Sequence, residues 1–267
     1  MRNRERGVPF AKKSLGQNFL ADRNVVRAIV DGLGIGDQER VVEIGPGRGA
    51  LTSELLARGA EVTAIEIDRD LVPELIRQFG DQPSFRVVEA DALTVDFHEL
   101  ADVPIKLVAN LPYYISTPIL RRLAIQRECF SSLVLMLQKE VVDRMTALPG
   151  NSDRGFLTVV VEAAFEAEKL FDVPPGAFRP VPKVTSSVVR LTPKGPSDFD
   201  EDHFERITSA GFRQKRKTLL NNLKHAPELG IEYPAELLSR AGIDPKVRAE
   251  DLSLDDWIRI VRHFLTR

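Results

Sequence analysis

A short apolar segment, Arg40–Ile44, runs directly into the glycine-rich segment Gly45–Gly49. The Val and Ile residues of the first segment predict a buried β-strand, and the glycines predict a tight turn that lets a ligand approach the backbone. The following residues, Leu51–Arg58, have the pattern of a helix. A strand, a glycine-rich turn and a helix in this order are typical of α/β domains that bind nucleotide-like cofactors.

The alternation of strands and helices continues beyond this turn and predicts a parallel sheet with helices on both faces. Asp68 is a candidate cap for a helix that runs to about Phe79. Residues 165–173 and 184–192 are also predicted strands, and the short proline-rich link between them requires an antiparallel pair. The other predicted strands are Glu61–Ile67, Phe85–Val88, Ile105–Ala109 and Ser131–Gln138.

The pattern changes at Pro193–Asp200, whose Pro, Gly, Ser and Asp residues predict a linker. We therefore predict two domains, 1–197 with the α/β sheet and 198–267 with a small all-α fold. The predicted helices of the second domain are 201–212, 215–224, 234–241 and 253–265. Its predicted core residues are Leu219, Leu220, Leu223, Trp257, Ile258, Val261 and Leu265.

Composition limits the class of protein. The 267 residues are 43% hydrophobic and 28% charged, as in globular proteins, and the formal net charge is −2. A nucleic-acid partner would therefore have to contact a local cluster of basic residues. The sequence has one cysteine, Cys129, and its histidines show no ligand spacing, so we expect no disulfide, no metal site and a cytoplasmic location. The longest apolar run, Leu133–Leu137, is too short for a membrane span.

Two acidic residues follow the glycine turn at positions that suit a cofactor with an adenosine group. Glu66 ends the next strand, about 20 residues after Gly45, where a carboxylate would accept hydrogen bonds from ribose hydroxyls. Asp91 follows the third strand and could accept from an adenine amine. S-adenosyl-L-methionine fits this arrangement, but Gly45-x-Gly47-x-x-Ala50 also matches the dinucleotide fingerprint. A nicotinamide- or flavin-dependent oxidoreductase and a tight turn without a ligand therefore remain alternatives.

The segment Asn110-Leu111-Pro112-Tyr113 follows the fourth strand and resembles the [DNS]-[PL]-P-[YF] signature of methyltransferases that act on exocyclic amines. The N6 amine of adenine is a poor nucleophile because its lone pair is delocalised into the ring. The Asn110 side chain and the Leu111 carbonyl would accept hydrogen bonds from this amine and draw its nitrogen toward tetrahedral geometry. Pro112 stiffens the turn, and Tyr113 can stack on the base. An oxidoreductase has no use for this segment; a turn with a packed tyrosine is the alternative.

Six blocks of the chain resemble, in order, those of the ribosomal RNA adenine dimethylases of the bacterial KsgA type. The blocks are Lys13–Leu20, Val42–Gly49, Ile65–Asp68, Glu89–Ala92, Asn110–Ser116 and Phe178–Ser186. The resemblance implies a Rossmann-like class I methyltransferase fold, a mostly parallel seven-stranded sheet whose last strand is antiparallel. It also implies a set of cofactor-binding residues: Gln17, Asn18, Leu20, Gly45, Gly47, Glu66, Asp91, Ala92 and Asn110.

The same resemblance implies that Tyr113 and Phe178 sandwich the target adenine. The prolines around Phe178 predict an exposed, rigid loop, with core packing as the alternative. Position 114 is Tyr where many members of the family have Asn, a difference that we interpret as tolerated.

The implied substrate is a pair of adjacent adenosines in a hairpin loop near the 3′ end of 16S rRNA, in the small ribosomal subunit or its precursor. Each adenosine receives two methyl groups, late in subunit assembly, and we expect a monomeric enzyme. A methylase of one large-subunit adenine and an assembly factor that no longer needs catalysis are the alternatives.

RNA contacts are predicted at two basic clusters. Four of the five residues from 213 to 217 are basic, Arg213, Lys215, Arg216 and Lys217, and the segment matches a family motif. Arg and Lys at this place would bind phosphates. The second cluster comprises Arg2, Arg4, Arg6, Lys12 and Lys13. A solvated surface without a partner is the alternative for both clusters.

Overall fold

A mixed seven-stranded sheet organises one of the two units in the computed structural model, which describes Lys12 and residues 16–100 and 104–266. The sheet unit contains the described residues up to Val142 together with Glu168–Thr192, and the helical unit contains Asp143–Ala167 and the described residues from Pro193 onward. The strands are β1 (Phe19–Leu20), β2 (Arg40–Ile44), β3 (Glu61–Glu66), β4 (Phe85–Glu89), β5 (Ile105–Asn110), β6 (Phe130–Gln138), β7 (Phe165–Val173), β8 (Phe178–Arg179) and β9 (Ser186–Pro193).

Ten α-helices are assigned in the part of the chain that the structure describes. They are α1 (Arg23–Leu33), α2 (Ala50–Ala57), α3 (Val72–Phe79), α4 (Ser116–Ile125), α5 (Lys139–Met145), α6 (Phe156–Ala164), α7 (Glu201–Gly211), α8 (Leu219–Lys224), α9 (Pro234–Arg240) and α10 (Leu254–Leu265). Within the described residues, no helix combines the length and the apolar character that crossing a bilayer requires.

The strand order of the large sheet is β4-β3-β2-β5-β6-β9-β7. The pairs from β4 to β6 are parallel, whereas β9 is antiparallel to β6 and lies between β6 and β7. The prediction of a mostly parallel seven-stranded sheet with an antiparallel last strand is confirmed. Strand β6 is buried on both faces, since Leu133–Leu137 are at most 1% exposed, which explains its continuous apolar sequence.

The apolar sides of α1 and α2 pack on one face of this sheet. Their buried side chains form a single core with residues from the central strands. The members from the helices are Val26, Ile29, Val30, Leu33, Leu51 and Leu55, and those from the strands include Val41, Val62, Val108 and Val134. The carboxylate of Asp22 caps α1 by accepting from the backbone N–H of Asn24 at 2.8 Å, and Gly34 ends the helix in a left-handed conformation.

Strands β1 and β8 form a separate antiparallel pair, in which Phe19 is opposite Arg179 and Leu20 is opposite Phe178. The backbone N–H of Ala21 also donates to the carbonyl of Ala177 at 2.8 Å. This pair joins the segment before α1 to the segment between β7 and β9, two parts of the chain that are far apart in sequence.

The division into units differs from the predicted boundary at residue 197. Residues 143–167 belong to the helical unit, because Val159 of α6 is buried in the same core as Phe204, Ile207 and Trp257. Arg154 is 3% exposed in this unit. Its guanidinium donates to the carbonyls of Ala147 and Leu252 at 2.9 and 3.1 Å and pairs with Glu162 at 2.6 Å. A linker pattern in the sequence indicates where the chain leaves one set of helices and strands. It does not show which earlier segments pack into the unit that follows.

Two predicted features of the helical unit also need correction. Helix α8 begins at Leu219 rather than at residue 215, because the Thr218 hydroxyl caps it by accepting from the Asn221 N–H. The preceding basic residues therefore lie in a loop. Trp257 and Val261 are fully buried as predicted, but Leu265 in the last turn of α10 is 48% exposed.

Candidate active site at the carboxyl ends of the strands

A pocket opens where β2, β3 and β5 end. All of the residues predicted to bind a cofactor or the target base line it. They are Gln17, Asn18, Leu20, Gly45, Gly47, Glu66, Asp91, Ala92, Asn110, Leu111, Pro112, Tyr113 and Phe178. Because parallel strands end at the same edge of a sheet, residues from distant parts of the sequence meet here.

The glycine turn has a backbone that only glycine adopts easily. Gly45, Gly47 and Gly49 have φ values of 67°, 58° and 78°. A Cβ atom at Gly49 would lie 2.4 Å from the ring of Phe79, and one at Gly47 would lie 3.0 Å from the ring of Phe19. The turn is therefore packed closely against its neighbours on both sides.

Glu66 at the end of β3 is 4% exposed. Its Oε2 accepts from the backbone N–H of Gly47 at 3.2 Å, and its Oε1 accepts from that of Asp68 at 2.8 Å. Burial raises the pKa of this carboxyl despite these hydrogen bonds. Glu66 thus connects the glycine turn after β2 to the turn after β3.

Asp68 does not cap a helix, because α3 begins at Val72. Its carboxylate instead accepts from Lys12 Nζ at 2.5 Å, Gln17 Nε2 at 2.8 Å and the Asp70 N–H at 3.0 Å. Burial opposes its ionisation, but the hydrogen bonds from Lys12 and Gln17 outweigh burial and lower its pKa. Gln17 Oε1 also accepts from the backbone N–H of Lys12 at 2.8 Å. Asp68 therefore holds the segment that precedes β1 beside the pocket.

Asn110, the last residue of β5, leaves its side-chain oxygen available. Its Nδ2 donates to the Asn18 carbonyl at 3.1 Å, and no described residue donates to its Oδ1. The Leu111 N–H donates to the Met136 carbonyl of β6 at 3.2 Å. These two bonds hold the turn at the end of the sheet while an acceptor remains in the pocket lining.

Tyr113 and Phe178 both line the pocket, but they are held differently. The hydroxyl of Tyr113 lies 3.2 Å from Oγ of Ser186, which is 1% exposed. Phe178 is 1% exposed, so the prediction of an exposed loop at this residue is wrong. Pairing of β8 with β1 draws Phe178 into the apolar core, although prolines lie on both sides of it in the sequence.

Glu43 is a pocket residue to which the sequence analysis gave no role. It is 1% exposed, its Oε2 accepts from the Thr52 hydroxyl at 2.6 Å, and its Oε1 has no hydrogen-bond partner among the described residues. Burial raises the pKa of this carboxyl to about 7. The sequence did contain a signal for this residue, because Glu43 is acidic and lies inside the apolar strand β2. Burial of a carboxylate costs free energy, so such residues are often found at functional sites.

The basic residues from 213 to 217 are exposed in a loop between α7 and α8 of the helical unit. Arg213 pairs with Glu228 and donates to the His225 carbonyl at 2.9 Å, so its guanidinium supports the unit itself. Asn222, 2% exposed, orders the loop: its Nδ2 donates to the Gly211 carbonyl at 2.6 Å, and its Oδ1 accepts from the Gln214 N–H at 3.1 Å.

The remaining residues of this cluster, Lys215, Arg216 and Lys217, are exposed. Of the second basic cluster, Arg2, Arg4, Arg6 and Lys13 lie outside the described residues, and Lys12 is engaged by Asp68 and Asp70.

Similarity to known proteins extends over nearly the whole chain. A model of the ribosomal RNA adenine dimethylase family matches residues 10–265. The chain is 44% identical over 255 residues to the ribosomal RNA small subunit methyltransferase A of Hahella chejuensis, covering 94% of this chain and 91% of that protein. It is 46% identical over 254 residues to the protein of the same name from Xanthomonas axonopodis pv. citri, covering 94% and 95% of the two.

Two solved structures are also similar. A dimethyladenosine transferase from Plasmodium falciparum has a TM-score of 0.81 at 28% identity, covering 93% of this chain and 98% of that one. The 23S rRNA methyltransferase ErmE has a TM-score of 0.68 at 26% identity, covering 92% and 99%.

Glu43 should make stability depend on pH. A carboxyl whose pKa is raised by folding, here from 4.5 to about 7, destabilises the fold when it ionises. This loss of unfolding free energy is absent below the pKa of the carboxyl in the unfolded chain. It grows as the pH rises, until the pH exceeds the pKa in the folded protein. Glu43→Gln should therefore gain about 2 kcal/mol of unfolding free energy relative to the unmodified protein between about pH 5.5 and about pH 8.

Urea unfolding at the two pH values measures this difference. Glu61→Gln is the control, because it makes the same substitution on the neighbouring strand β3 at a side chain that is 52% exposed. An equal pH dependence for the Glu43→Gln variant and the unmodified protein would contradict the assignment.

Proposed function

This chain belongs to the ribosomal RNA adenine dimethylase family and is an S-adenosylmethionine-dependent methyltransferase of ribosomal RNA. We propose that its reaction is the dimethylation of N6 in two adjacent adenosines of 16S rRNA. The proposed target lies in a hairpin loop near the 3′ end, in the small subunit or its precursor, and the proposed location is the cytoplasm. The observation that carries the proposal is the Asn110–Tyr113 turn after β5. The side-chain oxygen of Asn110 has no donor among the described residues, and the Tyr113 ring lines the same pocket.

The pocket residues fit the cofactor of this reaction. Glu66 at the end of β3 would accept hydrogen bonds from ribose hydroxyls, and Gly47 contributes bare backbone to the pocket lining. Asp91 and Ala92 line the side of the pocket where we place the adenine. Oε1 of Glu43, which has no hydrogen-bond partner within the described part of the chain, offers a further acceptor. When bound, S-adenosylmethionine supplies an electrophilic methyl group on its sulfonium sulfur.

The catalytic turn acts on the substrate amine. Asn110 Oδ1 and the Leu111 carbonyl accept the two N6 hydrogens, which turns the nitrogen toward tetrahedral geometry and frees its lone pair. Tyr113 and Phe178 hold the adenine ring between them, and the bond between the Tyr113 hydroxyl and Ser186 limits rotation of the tyrosine. Positioning and hydrogen bonding supply most of the rate enhancement, and the proton leaves to solvent after methyl transfer.

The target adenine has to leave its stack to enter this pocket, as bases do in other enzymes that modify them. We propose that Lys215, Arg216 and Lys217 contact phosphates of the surrounding RNA, with Arg213 supporting the loop. Phosphate contacts position the RNA and carry no sequence information, so the base itself is selected in the pocket.

Removal of the Asn110 acceptor should abolish most of the activity. Asn110→Ala should lower kcat by about 100-fold or more, because one preorganised hydrogen-bonding group at a reacting centre commonly contributes that much. The measurement uses labelled S-adenosylmethionine with small and large subunits from a strain without this methylation, followed by digestion to nucleosides.

The matched control for this experiment is Asn24→Ala on the exposed side of α1, which should retain full activity. Label in N6,N6-dimethyladenosine from small subunits only supports the proposal. Label in large subunits would replace it by a large-subunit methylase, and tight subunit binding without any label would favour an assembly factor.

Loss of Asp68 should weaken cofactor binding. Asp68→Asn removes the charge that pairs with Lys12 and one acceptor, so the segment before β1 should no longer be held beside the pocket. We expect the Kd for S-adenosylmethionine to rise about tenfold, which corresponds to ~1.4 kcal/mol. Asp70→Asn is the matched control, because Asp70 is 66% exposed and only its contact with Lys12 is lost. Equal effects of the two variants in calorimetric titrations would sink this assignment.

The basic loop should control binding of RNA and its dependence on salt. Lys215→Ala with Lys217→Ala should weaken binding of small subunits. It should also make the negative slope of log K against log salt concentration shallower by about 1.5 to 2. Lys224→Ala with Lys246→Ala removes the same charge from other exposed positions of the helical unit and should change the slope less. If the slope is unchanged in the variant with Lys215→Ala and Lys217→Ala, the loop does not contact the RNA.

A further inference from the structure

Tyr114 is an exposed aromatic residue at the pocket that the proposed reaction does not use. It follows Tyr113 in a 3-10 turn that covers Tyr113–Ile115, and 58% of it is exposed. In the described part of the chain, only Tyr114 and Tyr233 are exposed aromatic residues, and only Tyr114 lines this pocket. An aromatic ring left in water at the mouth of a site is a candidate contact for a ligand.

The ring of Tyr114 is supported by the protein on one side. A Cβ atom at Gly16 would lie 3.4 Å from Cδ1 of Tyr114 and 3.8 Å from Cβ of Pro112. Gly16 has a φ of 58°, so the chain passes close to the ring in a conformation that favours glycine. The tyrosine is therefore not a freely moving side chain, although more than half of its surface faces solvent.

We propose that Tyr114 is a stacking platform for the nucleobase next to the target adenine. This inference rests on the proposed function, in which one adenine enters the pocket beside Tyr113. The base that remains outside loses its stacking partner when the target leaves the strand. A ring on the very next residue can replace that partner, because stacking on an aromatic side chain depends on the π-face that every base presents.

The order of the two tyrosines in the chain indicates which nucleotide would contact Tyr114. Tyr113 and Tyr114 are adjacent in the chain, so their rings can serve two adjacent nucleotides, one in the pocket and one at its mouth. A purine neighbour has the larger π-face and should be preferred over uridine. When two neighbouring adenosines are both substrates, the platform holds whichever one is outside, so Tyr114 is a specificity-determining residue and its tyrosine is more than a tolerated variation.

The test couples the residue to the base. Small subunits without this methylation are prepared in two forms, one with the natural adenosine beside the target and one with uridine in its place. We measure kcat/KM at saturating S-adenosylmethionine for the unmodified protein, Tyr114→Leu and Tyr114→Phe. Leu keeps an apolar side chain without a ring, and Phe keeps the ring without the hydroxyl.

The unmodified protein and Tyr114→Phe should lose about tenfold in kcat/KM when uridine replaces the neighbouring adenosine. Tyr114→Leu should be about tenfold slower on the natural subunit and nearly insensitive to the replacement. If Tyr114→Leu slows both subunits by the same factor, the residue has only a structural role and the proposal is overturned. If the unmodified protein methylates neither form, the proposed function itself has failed, which is a separate outcome.

Discussion

The buried carboxylate of Glu66 joins the turn after β2 to the turn after β3, and both turns line the pocket. One oxygen holds the glycine turn through Gly47, and the other holds the backbone at Asp68. Asp68 in turn binds Gln17 and Lys12, so the positions of these two residues depend on the same chain of hydrogen bonds. Because Glu66 is nearly fully buried, water cannot easily replace these contacts, and the position of each part is set by the others.

The part of the pocket that Tyr113 and Phe178 line depends on contacts between distant segments. The β1–β8 pair brings Phe178 to the pocket, and Ser186 at the start of β9 holds the hydroxyl of Tyr113. Strand β9 can do this because it lies beside β6 and not at the edge of the sheet. The antiparallel strand β9 thus places the Ser186 hydroxyl beside the Asn110–Tyr113 turn.

Sequence patterns predicted the strands well because each is a short apolar run between turn residues, and β2 matches its prediction at both ends. They failed where a residue had two plausible partners. Asp68 has the chemistry of a helix cap but binds Gln17 and Lys12, and Phe178 lies among prolines but is buried by strand pairing. The predicted second domain omits residues 143–167 of the helical unit, because α6 packs with residues that follow it by more than 40 positions.

The sequence alone determined the alternation of strands and helices, the glycine turn and the identity of the Asn110–Tyr113 turn, because these depend on local backbone preferences and on side-chain chemistry. The tertiary structure decided which atoms remain available. The Gln17 amide donates to Asp68, whereas the side-chain oxygen of Asn110 has no donor among the described residues. Tyr114 is exposed, whereas Phe178 is buried. Hydrogen-bond partners and burial depend on contacts between residues far apart in the chain, and no local pattern records those contacts.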